Sequence, residues 1–330
     1  MSAADGILLV IGAGVVAYAV LGGADFGGGV WDLLAAGPRR DAQRRLIATT
    51  MGPVWEANHV WLVFVLIGLF SGFPLAFGAL ARMLAVPLAV ALLGIVLRGA
   101  AFVFRQYGGA LGAGGGAASG AAGWGRVFAI ASTLAPASLG YCAGAVAIGR
   151  VGSAFSVAAG ALALACCAFL AAVFLCREAL VRGEPAAAGD FRRRALGSAV
   201  VAGGLAALAL PVLAHEAPGL ASNLLAGAPA LMALSAAGGT GSIAALAWRR
   251  YRTARGCAAL AVGALVAGWG VAQYPVLVPP GLTVAQAAAP EQTLPVTLAV
   301  LVAGFAVTLP SLGLLFAIFS RGGSGRRGPA

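Results

Sequence analysis

The feature that most restricts this chain is a series of uninterrupted apolar stretches, each about 20 residues long. Such a stretch, as a helix, spans a hydrocarbon core of ~30 Å. Lipid offers no partner for backbone N–H and C=O groups, so only helices or closed barrels cross it. The stretches are rich in Ala, Leu, Val and Gly and do not alternate with period two, which selects helices. At 61% hydrophobic and 9% charged residues, the chain lacks the polar surface a soluble domain needs.

The pattern gives an all-α, polytopic membrane protein of about nine transmembrane helices. They are expected near 6–24 (extendable through Gly27-Gly28-Gly29 to Leu34), 57–80, 83–104, 127–148, 154–176, 195–213, 225–248, 257–274 and 294–319. Residues 1–320 read as one bundle and 321–330 as a mobile basic tail. The segment 275–292, with Pro275, Pro279, Pro280 and Pro290, reads as an ordered external loop. The first basic residue is Arg39, so the start lacks the charged region of a cleavable signal and reads as a permanent span.

Charge supplies the orientation. All 21 basic residues are Arg, and net charge is +11. In a soluble protein this would suggest nucleic acid, but here the arginines sit in short gaps between apolar runs, so no nucleic-acid partner is expected and the lipid bilayer is the medium. With nine spans, 19 arginines fall on one side and only Arg82 and Arg150 on the other. The positive-inside rule then places the N-terminus outside and the C-terminus in the cytoplasm. Fifty glycines suit close helix approach. Without a Lys, the glycine-rich loop 108–125 is no phosphate cradle. Cys142, Cys166, Cys167, Cys176 and Cys257 form no C-x-x-C pair and read as small buried thiols.

Acidic groups inside lipid are costly, which singles out Asp25, Asp32 and Glu56. Asp25 and Glu56 fall toward the same arginine-rich side. Two readings stand for them: a proton-uptake route, or interfacial carboxylates paired with arginine or a helix dipole. The block Pro53-Val54-Trp55-Glu56-Ala57-Asn58-His59-Val60-Trp61-Leu62 is dense in polar and aromatic groups. Asn58 and His59 must find hydrogen-bond partners on entering lipid, and Trp55 and Trp61 suit the interfacial belt. Arg98 either snorkels toward the cytoplasm or is the counter-ion of Asp25 or Glu56. Arg105, one span-end further on, reads as interfacial. Gln273 and Tyr274 read as outer interfacial residues. The only histidines, His59 and His215, fall on opposite faces and cannot clamp one haem together, so no metal and no cofactor is expected on this chain.

These blocks resemble subunit II of cytochrome bd-type quinol oxidases. Gly23-Ala24-Asp25-Phe26-Gly27-Gly28-Gly29 is similar to the family's D-G-F-D-x-G-x-G, and the 53–62 block to P-x-W-D-G-N-x-V-W-L. Phe73-Pro74, then Arg98-Gly99-Ala100-Ala101-Phe102-Val103-Phe104-Arg105, is similar to R-G-V-x-F-E-F-R. Tyr274-Pro275, Leu282-Thr283, Ala287-Ala288 and Leu294 resemble the pattern before the last helix. Three positions depart: Gly22 and Val103 replace expected acids, and Glu56 replaces Asp.

The resemblance implies a haem-free subunit of the bacterial inner membrane. Its partner, subunit I, would carry haem b and haem d, oxidise quinol on the outer side and reduce oxygen to water. Small accessory membrane subunits would be possible companions. Asp25 and Glu56 would line part of the proton path, supported by Asn58, His59 and Arg98. A competing reading is a polytopic transporter, which shares broken helices and intramembrane acids; another is a scaffold without chemistry.

Overall fold

The first span begins at α1 (Ala3–Ala17), whose start is closed by a capping box between Ser2 and Asp5. A π-helical turn, Tyr18–Gly22, leads without a break into α2 (Gly23–Leu33). A computed structural model describes residues 2–51, 55–111 and 117–322; the side chains of 51–57, 106–122 and 315–322 lie outside the described residues, as does the expected basic tail from 323 onward.

The arginine-dense segment after α2, expected as a loop, is the helix α3 (Arg40–Met51). Gln43, Leu46, Ile47 and Thr50 are buried on one face, at the spacing of a helix packed on a core. The expected second span at 57–80 is also corrected. It is α4 (Trp55–Gly72) followed by α5 (Pro74–Met83), bent by 120° at Phe73. Pro74 has no N–H to continue the ladder and opens the new helix at its first position. With 18 residues, α4 is about 27 Å long, and it meets the length and hydropathy of a span together with α5 as a bent pair.

The later spans are α6 (Ala85–Leu111), α7 (Ala117–Ile148), α8 (Ala154–Val181) and α9 (Pro185–Glu216). The polar stretch 185–194 is thus the first turns of α9 rather than a loop. Pro218 and Pro229 start two further helices, α10 (Pro218–Gly227) and α11 (Pro229–Ala247), where one span from 225 was expected. After α12 (Tyr251–Gln273), strands β1 (Val276–Val278) and β2 (Leu282–Thr283) pair antiparallel, and a turn of helix, α13 (Val284–Ala287), leads to α14 (Leu294–Gly322). This hairpin is the ordered loop expected at 275–292.

Among the described residues, eight helices are long and apolar enough to cross a membrane, or nine if the bent pair counts as one span. The bundle has two unlike ends. One carries the hairpin, with Asp5 accepting from the Tyr274 hydroxyl at 3.3 Å and Arg150 paired with Glu216 at 3.7 Å. The other carries α3 and most of the arginines. The main core lies toward the arginine-rich end, where α2, α3, α8, α9 and α12 meet around Phe169, Leu175 and Phe191. A second core, with Ile7, Phe73 and Val284, closes the hairpin end.

Two glycines fix where α2 sits. A Cβ on Gly27 would overlap the backbone carbonyl of Cys167 on α8, and one on Gly29 would overlap the Ser132 side chain on α7. Contact this close is available only without a side chain. Trp31 completes the seam, donating from Nε1 to the Ala168 carbonyl at 2.8 Å.

Candidate functional site

Asp25 stands on the first turn of α2, directly after the π turn, and is 2% exposed. Arg98 on α6 reaches it, with Nη2 at 2.7 Å from Asp25 Oδ1. The same guanidinium donates from Nε to Ser132 Oγ at 3.0 Å and lies 5.1 Å from the Phe26 ring centroid and 5.3 Å from that of Phe128. Of the two readings for Arg98, the counter-ion reading holds. The side chain does not snorkel.

Seven residues further along each helix the arrangement repeats. Asp32 Oδ2 accepts from Arg105 Nη1 at 3.1 Å, and Arg44 on α3 lies 3.7 Å from Asp32 Oδ1. Arg44 also donates to the Asp32 carbonyl, at 3.2 and 3.4 Å. Arg105, expected as an interfacial residue, is one half of this second rung. Seven residues are about two helical turns, so two acids on α2 and two arginines on α6 each share a face. The rung at Asp25 is deep; the rung at Asp32 is near the arginine-rich end, with Arg105 and Arg44 partly exposed.

Asn58 is 1% exposed and donates from Nδ2 to the Leu21 carbonyl in the π turn at 3.2 Å. A π turn re-aims backbone carbonyls relative to an α-helix, and such turns recur at functional sites. His59 is half-buried, with its ring edge-on to Tyr18 at 6.3 Å and to Phe26 at 6.2 Å. Trp61 is 1% exposed and packs on Phe305, at 5.2 Å between centroids. It belongs to a core between α4 and α14 rather than to an interfacial belt, because α4 turns that face inward. Trp55 and Glu56 lie on the first turn of α4, but their side chains are outside the described residues.

A cavity of about 70 Å³ opens beside this cluster, lined by Leu21, Asp25, Asn58, Leu170, Phe174 and Arg255. Asp25 Oδ2 and Asn58 Oδ1 are buried without a hydrogen-bond partner among the described residues. Arg255 stacks on Phe174 at 4.8 Å. Closer to the arginine-rich end, Asp190 gathers Arg39 and Arg193, each at 2.6 Å, and Gln43 at 3.1 Å. The hydrogen bond to Asp190 holds the Arg39 guanidinium above its ordinary range. This network ties α3 to α9.

The two histidines stand apart. His59 lies beside Tyr18 and Phe26, toward the arginine-rich half, whereas His215 ends α9 at the hairpin end. Among the described residues, no group of three or more His, Cys, Asp or Glu side chains is arranged to hold a metal. The five cysteines are free.

A family model described as "Cytochrome bd terminal oxidase subunit II" matches residues 5–319. The chain belongs to this family. Among its relatives, the cytochrome bd ubiquinol oxidase subunit 2 of Bacillus subtilis is 33% identical over 90 residues, 27% of this chain and 26% of that protein. The cytochrome bd-I ubiquinol oxidase subunit 2 of Escherichia coli is 28% identical over 98 residues, 30% of this chain and 25% of that protein. The matched stretch thus spans about a quarter of each of these relatives. A solved structure, the bd oxidase from Geobacillus thermodenitrificans, shares the fold with a TM-score of 0.81 at 22% identity, covering 96% of this chain and 98% of that one.

The chain's departures from the subunit II pattern have physical sense. A Cβ on Gly22 would sit 3.0 Å from the Tyr18 ring, so a side chain there would press on that ring unless it shifts by a few tenths of an ångström. Val103 is 45% exposed, unlike the buried Arg98 on the same helix. Sequence reading missed Ser132, the Asp32 rung and the Asp190 network. The equal seven-residue spacing of Asp25 and Asp32, and of Arg98 and Arg105, was the signal available for the rungs.

Proposed function

We propose that this chain is the haem-free half of a quinol-oxidising, oxygen-reducing complex in the bacterial inner membrane. The observation that carries this reading is the family match across 5–319; the placement of His59 and His215 in different parts of the bundle supports haem ligation by the partner. Haem b, haem d and the quinol site belong, on this reading, to the partner subunit I; small accessory subunits are further companions. The test is purification of the tagged chain in mild detergent. A larger companion and b- and d-type haem absorbance are expected to co-elute with it. A haem-free chain running alone would overturn the reading and favour a transporter. Iron porphyrin retained by the isolated chain would overturn it too.

The arginine-rich end faces the cytoplasm on this reading, since anchoring arginines resist translocation. A periplasm-active reporter fused after Arg327 is expected to be silent, and activity there would reverse the orientation.

Within the complex, this subunit lines part of a proton path from that end. The cavity beside Asp25 and Asn58 supports the assignment, because its volume holds a few waters and its polar atoms offer them acceptors. Arg98 neutralises Asp25, so Asp25 and Asn58 orient water and Glu56, at the start of α4, exchanges the proton. His59 and Arg98 keep the wall in place. Glu56→Gln is expected to slow oxygen consumption roughly tenfold or more, with the haem spectrum unchanged. An unaltered rate from acid to alkaline pH would remove Glu56 from the path, while a lost haem signal would assign it to assembly.

A further inference from the structure

A hollow of about 440 Å³ lies where α8 ends and the α11–α12 turn begins. Arg177, Arg249, Arg250 and Arg252 line it, together with Leu180 and Val181. Arg177 has an acid beside it, Glu178 at 3.5 Å. Arg249, Arg250 and Arg252 are exposed and take part in none of the ion pairs among the described residues. The neighbouring Arg192 is committed elsewhere: it donates to the Leu246 and Ala247 carbonyls and closes α11. The hollow therefore concentrates the positive charge of Arg249, Arg250 and Arg252, which no acid among the described residues pairs.

We propose that this hollow binds the phosphate of an anionic phospholipid headgroup. Guanidinium groups pair with phosphate oxygens through two parallel hydrogen bonds, which favours Arg over a simple point charge. The turn is shaped to converge its arginines. Arg249 has φ +58°, in the left-handed region that side chains seldom adopt, and this folds the chain back so that Arg250 caps α12. No side chain caps that helix, and its free N–H groups add to the positive field.

Position selects a lipid over a soluble anion. The hollow sits at the ends of three apolar spans, the level at which headgroups lie. Leu180 and Val181 on its wall, and Trp248 next to Arg249, are exposed apolar side chains placed to meet acyl chains. The site shares no lining residue with the cavity at Asp25 and does not depend on the oxidase reading.

The experiment uses the chain with whatever companions it purifies with. Complexes are reconstituted in vesicles containing both phosphatidylglycerol and phosphatidylcholine, re-extracted, and their retained lipid is quantified by mass spectrometry. Wild type is expected to enrich phosphatidylglycerol, and the triple variant R249Q/R250Q/R252Q to lose that enrichment roughly tenfold or more. A control removing equal charge elsewhere, R40Q/R45Q/R126Q, is expected to keep it. Equal retention by wild type and triple variant would overturn the proposal. Equal loss in both variants would too, since it would mean a diffuse field rather than a site. Independently of any variant, a photoreactive phosphatidylglycerol is expected to label the segment 180–181, and labelling spread evenly over the bundle would refute a discrete site. Displacement of that lipid by millimolar inorganic phosphate would assign the hollow to a free anion instead.

Discussion

Arg98→Met is expected to destabilise the fold by about 3–5 kcal/mol, the largest loss from any single charge removal in this chain. Methionine fills a similar length but leaves the Asp25 carboxylate 2% exposed with no cation. Arg98 also donates to Ser132 Oγ at 3.0 Å, so that acceptor loses its partner as well. An isolated buried charge is far worse than a neutral pair, because its desolvation is no longer offset. The double variant D25N/R98M is therefore expected to recover most of the loss. The check is a thermal melt of the detergent-solubilised complex, run as a double-mutant cycle. If R98M melts with the wild type, or if D25N/R98M is no better than R98M, the pair does not hold the fold in this way. The rung at Asp32 is a milder case: its arginines are partly exposed, so water compensates what a lost partner leaves behind.

The sequence told most where the physics was one-dimensional. Most span positions followed from apolar length without reference to any fold. Asp25 and Arg98 stood out because each is costly in lipid, but their pairing is a contact between α2 and α6 that no local pattern encodes. Only the matched seven-residue spacing carried it. Where two signals overlapped, the louder one hid the other. At α3, four arginines within 39–45, three of them in the helix, masked the buried face of Gln43, Leu46, Ile47 and Thr50. At Phe73-Pro74 the apolar run continued unbroken, so hydropathy could not see a 120° turn that Pro74 imposes through a missing N–H. Trp61 looked interfacial from its neighbours Asn58 and His59, yet which face of α4 points inward depends on α14, more than 200 residues away.

Gly27→Ala is expected to be nearly as damaging as the loss of Arg98, although it adds a single methyl group. The added carbon would overlap the Cys167 carbonyl, a backbone atom of α8 that cannot rotate aside as a side chain would. Relief requires α2 and α8 to part, at a cost of about 3 kcal/mol or more. Separation also stretches the 2.8 Å bond from Trp31 to the Ala168 carbonyl and pulls Asp25 away from Arg98, which is anchored to Ser132 on α7. The packing defect thus propagates to the ion pair two residues away. Gly203→Ala is the matched control: its Cβ meets nothing within 4 Å, and in mid-helix the change favours the folded chain slightly. Thermal melts of the two variants are expected to diverge, with G27A several degrees below wild type and G203A at or above it. A G27A complex that melts with wild type would show that α2 has room beside α8, and the account of how Asp25 is held in place would fail with it.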